Sequence, residues 1–195
     1  MDTLYHPDAE EALSVEAPLF EWPRVRWNKV LTLYTLARSV KDGAIVELGT
    51  HHGCGTIALA LGSRDGFNVP VHTVDPFVDY VGWIGDRYGP DDLEIFDANV
   101  HSLGLDATLH REPSEKLCKR WREPISLLYW DIGGKRLVDD YMDWQSRVVP
   151  GGTIAIKDLT TWRFGFGYVK DHALENGYVL GPQFPKGCIW TLIKN

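Results

Sequence analysis

The residues Glu47-Leu48-Gly49-Thr50-His51-His52-Gly53-Cys54-Gly55 put one carboxylate and three glycines into nine positions between two apolar runs. Glycine tolerates left-handed backbone and carries no Cβ, so such a loop lets main-chain atoms approach a ligand closely. The spacing is E-x-G-x-x-x-G-x-G, with the wider gap first. That is neither the G-x-G-x-x-G of a dinucleotide site nor the G-x-x-x-x-G-K-[ST] of a phosphate loop, so a phosphate cradle is not indicated. His51 and His52 read as backbone-bonded or solvated histidines of the loop rather than as catalytic bases.

Three further acids close apolar runs: Asp75 after "VHTV", Asp131 after "ISLLYW" and Asp158 after "TIAIK". Ligands of open α/β sheets bind beyond the carboxyl ends of strands, which is where these acids fall. Two segments rich in glycine and aromatics, 77–90 and 159–168, carry Trp83, Trp162, Phe164, Phe166 and Tyr168. They read either as a lid over an apolar ligand or as loops pinned by aromatic anchors. Aromatic faces there could also attract a cationic ligand.

Those residues need elements to hold them. From Arg24 to Val40, Val25, Val30, Leu31, Leu33, Tyr34, Leu36, Ala37 and Val40 recur at helical spacing, and "KDG" ends the run. "AIVEL" (44–48), "VHTVD" (71–75), "ATLHR" (107–111), "ISLLYWD" (125–131) and "TIAIKD" (153–158) read as strands. Helical patterns separate them: "TIALALG", "LEIFDANVHSLG", "SEKLCKRW" with Ser114 as its cap, and "RLVDDYMDWQSRVV". "PGG" (150–152) predicts a turn into the fifth strand. A helical "YVKDHALENG" and two β runs, "YVLGPQF" and "CIWTLIKN", close the chain. Alternating strands and helices give an α/β fold with a mainly parallel sheet. The last two strands are too close in sequence for a crossover and must pair antiparallel.

The chain of 195 residues suits one domain, expected over 24–195, after an N-terminal arm over 1–23. A formal charge of −7 argues against a broad nucleic-acid footprint. The basic run "KLCKRWR" (116–122) has helical spacing and reads as a solvated helix face. Cys54, Cys118 and Cys188 lack CxxC or CxxH spacing, so neither a disulfide framework nor a zinc site is expected from them. No signal pattern or membrane-length apolar run is present, so the expected setting is cytoplasmic, with no membrane partner.

The nine-residue loop resembles the first motif of class I S-adenosylmethionine-dependent methyltransferases, whose cofactor carries no phosphate. Asp75 stands where that family places an acid that accepts hydrogen bonds from the ribose hydroxyls. Ser114 and Glu115 in "REPSEKL" match the segment passing the adenine edge. "LLYWD" and "VVPGGTIAIKD" are similar to the family's fourth and fifth strands. The resemblance spans 24–195 and implies a Rossmann-like three-layer sandwich around a seven-stranded, mostly parallel sheet with an antiparallel last strand. It carries Glu47, Gly49, Thr50, Gly53, Gly55, Asp75, Phe77, Ser114, Glu115 and Asp131 over as positions that contact S-adenosylmethionine. Within the family the likeness is greatest to small enzymes that methylate hydroxyl groups of small molecules. Those read "IDGDHSY" where this chain has "WDIGGKR" (130–136), and often His-Asp or Asp-Asp where it has Lys157-Asp158.

The implied function is methyl transfer to a small-molecule acceptor, at a hydroxyl oxygen. The alternative is a methyltransferase-like domain that binds cofactor, or acts as an interaction module, without catalysis. A homo-oligomer is open, since the arm could wrap a neighbouring subunit. Asp131 and Asp158 are the catalytic candidates. A lone carboxylate near pKa ~3.9 is a poor base for a phenol near ~10. Either a divalent cation held by both acids acidifies the hydroxyl, or Lys157 or Lys135 stabilises the oxyanion. Leu159 beside Asp158 leaves few oxygen ligands for a cation, which favours the metal-free arrangement.

Overall fold

The computed structural model describes residues 24–81, 87–132, 136–157, 165–184 and 189–195. Helix α1 (Arg24–Ser39) leads into β1 (Ala44–Leu48), α2 (Cys54–Asp65) and β2 (Val71–Val74). A short hairpin follows, β3 (Tyr80–Val81) against β4 (Arg87–Tyr88), then α3 (Asp92–His101) and β5 (Thr108–His110). The second half runs α4 (Ser114–Arg120), β6 (Ile125–Trp130), α5 (Leu137–Trp144), a 3-10 turn (Gln145–Arg147) and β7 (Val148–Lys157). It ends with α6 (Phe166–Glu175), β8 (Tyr178–Leu180) and β9 (Ile189–Lys194).

Seven strands form one sheet in the order β5-β2-β1-β6-β7-β9-β8. β1 pairs parallel with β2 and β6, β2 with β5, and β6 with β7. β9 is antiparallel to both β7 and β8, as the short link between the last two strands requires. The sheet is therefore the expected mostly parallel, seven-stranded one, with helices on both faces.

Period-two alternation sorts the strand side chains between two cores. Ile45, Leu127 and Tyr129 face α1, α2 and α3, in a core with Leu33, Ile57 and Phe96. Val46, Leu48, Leu128 and Trp130 face α4, α5 and α6, with Leu117, Trp144 and Val169. Burial on both faces is why these strands read as unbroken apolar runs. Each fully buried large side chain contributes roughly 1.5–3 kcal/mol.

Three local expectations need correction. Ser114 does not cap α4; Pro113 occupies that position, and no side-chain cap bond forms. Proline fits there because its fixed φ and missing N–H cost a helix start nothing. The "PGG" turn is absorbed into β7, whose pairing advances two residues along β6 but five along β7. The chain bulges at Gly151 (φ 79°) and stays in the sheet. Residues 166–168 belong to the first turn of α6 rather than to a loop.

Candidate active site

Strand order reverses at β1, which has β2 on one side and β6 on the other. A crevice opens at such a switch point, beyond the carboxyl ends of the strands. Here the loops after β1 and β6 meet. Gly49 donates its N–H to Val74 O at 2.9 Å, and Asp131 donates to Leu48 O at 2.9 Å. A Cβ on Gly49 would lie 3.0 Å from the Asp131 carbonyl, and its φ of +85° is one that L side chains rarely adopt. Gly53 and Gly55 are required by the protein's own packing: a Cβ on Gly53 would press on Val100 and Phe96, and one on Gly55 would collide with Glu47 Oε1.

Glu47 is buried on the α1–α2 side of the sheet, 1% exposed. Its Oε2 accepts from Thr56 Oγ1 at 2.5 Å and Thr73 Oγ1 at 2.9 Å. Burial pushes its carboxyl up from 4.5 to about 7, against the pull of both threonine bonds and of Lys29. A carboxyl with a raised folded pKa takes up a proton on folding, so its contribution to stability falls as pH rises from 4.5 towards 7. Urea unfolding of Glu47→Gln beside the parent at pH 5 and pH 8 should show the variant gaining about 2–3 kcal/mol relative to the parent across that interval. A difference independent of pH would refute the buried-acid account.

Asp75 fastens the glycine loop. Its Oδ2 accepts the N–H groups of Thr50 (3.0 Å) and His51 (3.1 Å), and its Oδ1 that of Phe77 (2.9 Å). Thr50 is also tied by its hydroxyl to Thr56, 2.6 Å away. Phe77 takes φ 48° and is buried, its ring 5.9 Å from that of Phe96. A carboxylate offers about four lone-pair sites, so three bonds leave one for a ligand donor.

Asp131 sits in a cluster of two lysines and a tyrosine. Lys157 Nζ lies 2.6 Å from Oδ1, while Lys29 Nζ (3.2 Å) and the Tyr129 hydroxyl (3.0 Å) reach Oδ2. Burial alone would raise the Asp131 pKa, yet the two ammonium groups outweigh it and hold the acid below its usual range. Burial alone would lower the Lys29 pKa; Asp131, helped by Cys54 and Glu47, reverses this and raises it above the ordinary lysine value. The same two acids, added to burial, drive the Tyr129 phenol well above its ordinary value. Both Asp131 oxygens thus carry a protein partner, and a cation binding there would compete with Lys29 and Lys157. Asp158, Lys135, Trp83, Trp162 and Phe164 lie outside the described residues.

Lys29 is a residue of this cluster that sequence reading missed. Its signal was present: Val25, Lys29, Leu33 and Ala37 recur every fourth residue, so a charge sits on the apolar stripe of α1. A buried lysine implies a buried partner.

Residues 46–159, more than half of the chain, match the model of a family described as a methyltransferase domain. The chain belongs to that family. No curated protein sequence matches it. The S-adenosylhomocysteine-bound methyltransferase PaMTH1 of Podospora anserina is 17% identical, with a TM-score of 0.61 over 100% of this chain and 91% of that one. CalS11, a TDP-rhamnose 3'-O-methyltransferase of calicheamicin biosynthesis, is 18% identical, with a TM-score of 0.62 over 96% and 88%. The O-methyltransferase TomG of Streptomyces achromogenes, solved with S-adenosylmethionine, is 14% identical, with a TM-score of 0.59 over 98% and 92%. At these identities the likeness is one of fold, that of class I S-adenosylmethionine-dependent methyltransferases.

In this methyltransferase domain Ser114 and Glu115 open α4, the helix after β5, two strands away from β1. The Ser114 hydroxyl is engaged by Asp140 Oδ1 of α5 at 2.6 Å. Asp140 is fully buried, and burial raises its carboxyl despite Ser114 and Arg136. Glu115 pairs with Arg136 at 3.4 Å. The structure therefore gathers Gly49, Thr50, Asp75 and Asp131 at the switch point, buries Glu47 beneath them, and commits Ser114 to a neighbouring helix. A groove near Asp42, Ser126 and Pro150 lies at the amino-terminal ends of β1, β6 and β7, the other end of the strands from these residues. No helix among the described residues is long and apolar enough to cross a membrane.

Proposed function

We propose that the chain transfers a methyl group from S-adenosylmethionine to a hydroxyl oxygen of a small molecule. The observation that carries this reading is the Asp131 cluster, which places two ammonium groups on one carboxylate beside the glycine loop. With Lys29 and Lys157 charged, the cluster is net positive, which suits an acceptor that becomes an anion as it loses its proton. When bound, S-adenosylmethionine supplies an already activated methyl group. The chain's own work is alignment, exclusion of water and stabilisation of the acceptor oxygen. Gly49 and Thr50 would border the methionine part of the cofactor and Asp75 the ribose, with Phe77 behind it. Lys157, 36% exposed in its side chain against 11% for Lys29, is the ammonium that can reach the acceptor. Val78, Tyr80 and Val81, all exposed around the β3–β4 hairpin, offer apolar area for the acceptor's body. The small-molecule O-methyltransferases of the same fold lend the reading support.

Calorimetric titration with S-adenosylmethionine, its demethylated product and a nicotinamide dinucleotide tests the cofactor. The first two should bind; binding of the dinucleotide alone would sink the proposal. Asp75→Ala should weaken cofactor affinity at least about tenfold, since each hydrogen bond to a charged acceptor is worth ~1.5–3 kcal/mol. An unchanged Kd would remove Asp75 from the cofactor site. Labelled methyl transfer to a set of phenols, sugar alcohols and amines tests the acceptor. Transfer to amines alone would overturn the oxygen assignment, and binding without any transfer would favour the non-catalytic module.

A further inference from the structure

We propose that His51, His52 and Asp92 form a site for a divalent transition-metal ion that pins the glycine loop to the start of α3. The site is separate from the Asp131 cluster. His52 Nε2 lies 2.7 Å and His51 Nε2 3.6 Å from the same oxygen, Asp92 Oδ1. The three donor atoms all lie within 4.8 Å of one another.

The backbone explains how neighbours in sequence aim at one point. Consecutive side chains ordinarily diverge, but His51 sits in the left-handed region at φ 49°. That is uncommon for a residue other than glycine, and such strain collects at ligand sites. It stacks the two imidazoles, with ring centroids 3.6 Å apart and planes 21° from parallel. Two ring nitrogens then face one carboxylate oxygen.

The groups around the cluster hold it in place. Asp92 Oδ2 accepts the Gly89 N–H at 2.8 Å, which leaves Oδ1 for the histidines. Asn99 Nδ2 donates to the His52 carbonyl at 2.9 Å, and the Tyr88 ring stands edge-on to His51 at 4.9 Å. Outer bonds of this kind orient metal ligands. Side-chain exposures of 41%, 34% and 16% for His51, His52 and Asp92 leave the cluster open to an incoming ion.

Two imidazoles and one carboxylate suit zinc, cobalt(II) or iron(II), whereas magnesium and calcium prefer all-oxygen shells. Three protein ligands leave an open position for water. The ion would join the loop that Asp75 already holds through the Thr50 and His51 amides to the helix carrying Asp92.

The test uses the full chain, stripped with chelator and dialysed, then titrated with zinc chloride by calorimetry and with cobalt(II) by visible absorption. One ion per chain should bind, with cobalt bands of low coordination number, a raised Tm and no comparable response to magnesium. His52→Ala, His51→Gln and Asp92→Asn should each weaken zinc binding about tenfold to a hundredfold. His110→Ala, which breaks the other close pair (His72 Nδ1 to His110 Nε2, 3.0 Å), should leave binding unchanged. Circular dichroism confirms that each variant is folded. Failure of the parent chain to bind zinc stoichiometrically, binding that survives in the folded variants, or loss with His110→Ala would overturn the site. The titration needs no S-adenosylmethionine, so a negative result leaves the methyltransferase reading standing.

Discussion

Replacement of Lys157 by methionine is expected to lower kcat for methyl transfer about a hundredfold to a thousandfold, the usual cost of removing one electrostatic donor from a developing oxyanion. Lys157 ends β7 with its Nζ 2.6 Å from Asp131 Oδ1 and is the more exposed of the two ammonium groups on that acid. Methionine keeps most of the apolar stem, one atom shorter, and removes the charge together with its hydrogen-bond donors. Because that charge matters most as the acceptor becomes an anion, Kd for S-adenosylmethionine should change little while kcat falls. Lys157→Arg, which restores a cation of different shape, should recover part of the loss. An acceptor pKa read from the pH dependence of kcat should also rise in Lys157→Met. A kcat within about threefold of the parent would show that the donor is not at the acceptor.

Asp131→Ala should be the most destabilising change at the site. It leaves Lys29, 9% exposed, without the carboxylate that compensates its charge. Removing one partner of a buried pair typically costs about 3–5 kcal/mol, because an uncompensated charge remains. For a chain of 195 residues each kcal/mol shifts Tm by about 2–4 °C, so a fall of about 6–20 °C is expected. The companion experiment decides the cause. In the double variant Lys29→Met with Asp131→Ala both charges are gone, and stability should recover most of the difference. A double variant as unstable as the sum of its parts would mean that Asp131 matters through packing rather than charge. The pH dependence has its own sign: a carboxyl held below its ordinary 3.8 contributes stability above that pH and loses it as pH falls further. Glu47 acts in the opposite sense between 4.5 and about 7, so the two acids are separable by pH alone.

The architecture was legible because burial on both faces leaves a plain mark. "AIVEL" and "ISLLYW" are continuous apolar runs, and each became a central parallel strand. The short link before "CIWTLIKN" dictated an antiparallel closing pair on chain-length grounds alone. Local turn chemistry was less reliable. Pro150-Gly151-Gly152 has the composition of a turn, yet the pairing of Val148 and Thr153 with β6 on either side of it keeps it within a strand as a bulge.

The sequence by itself determined the α/β class, the glycine loop after β1, and Asp75 and Asp131 at the ends of their strands. These are local properties: composition, periodicity and the end of an apolar run. Only the tertiary structure decided what each polar group faces. Lys29 is 102 residues from Asp131 in the chain, and only packing α1 on the sheet brings them to 3.2 Å. The same packing made Glu47 a buried acid rather than a surface one, gave the Ser114 hydroxyl to Asp140, and set His52 against Asp92, 40 residues away. Side-chain partners across such separations are fixed by where helices dock, and docking depends on the summed shape of both cores rather than on any short run of residues.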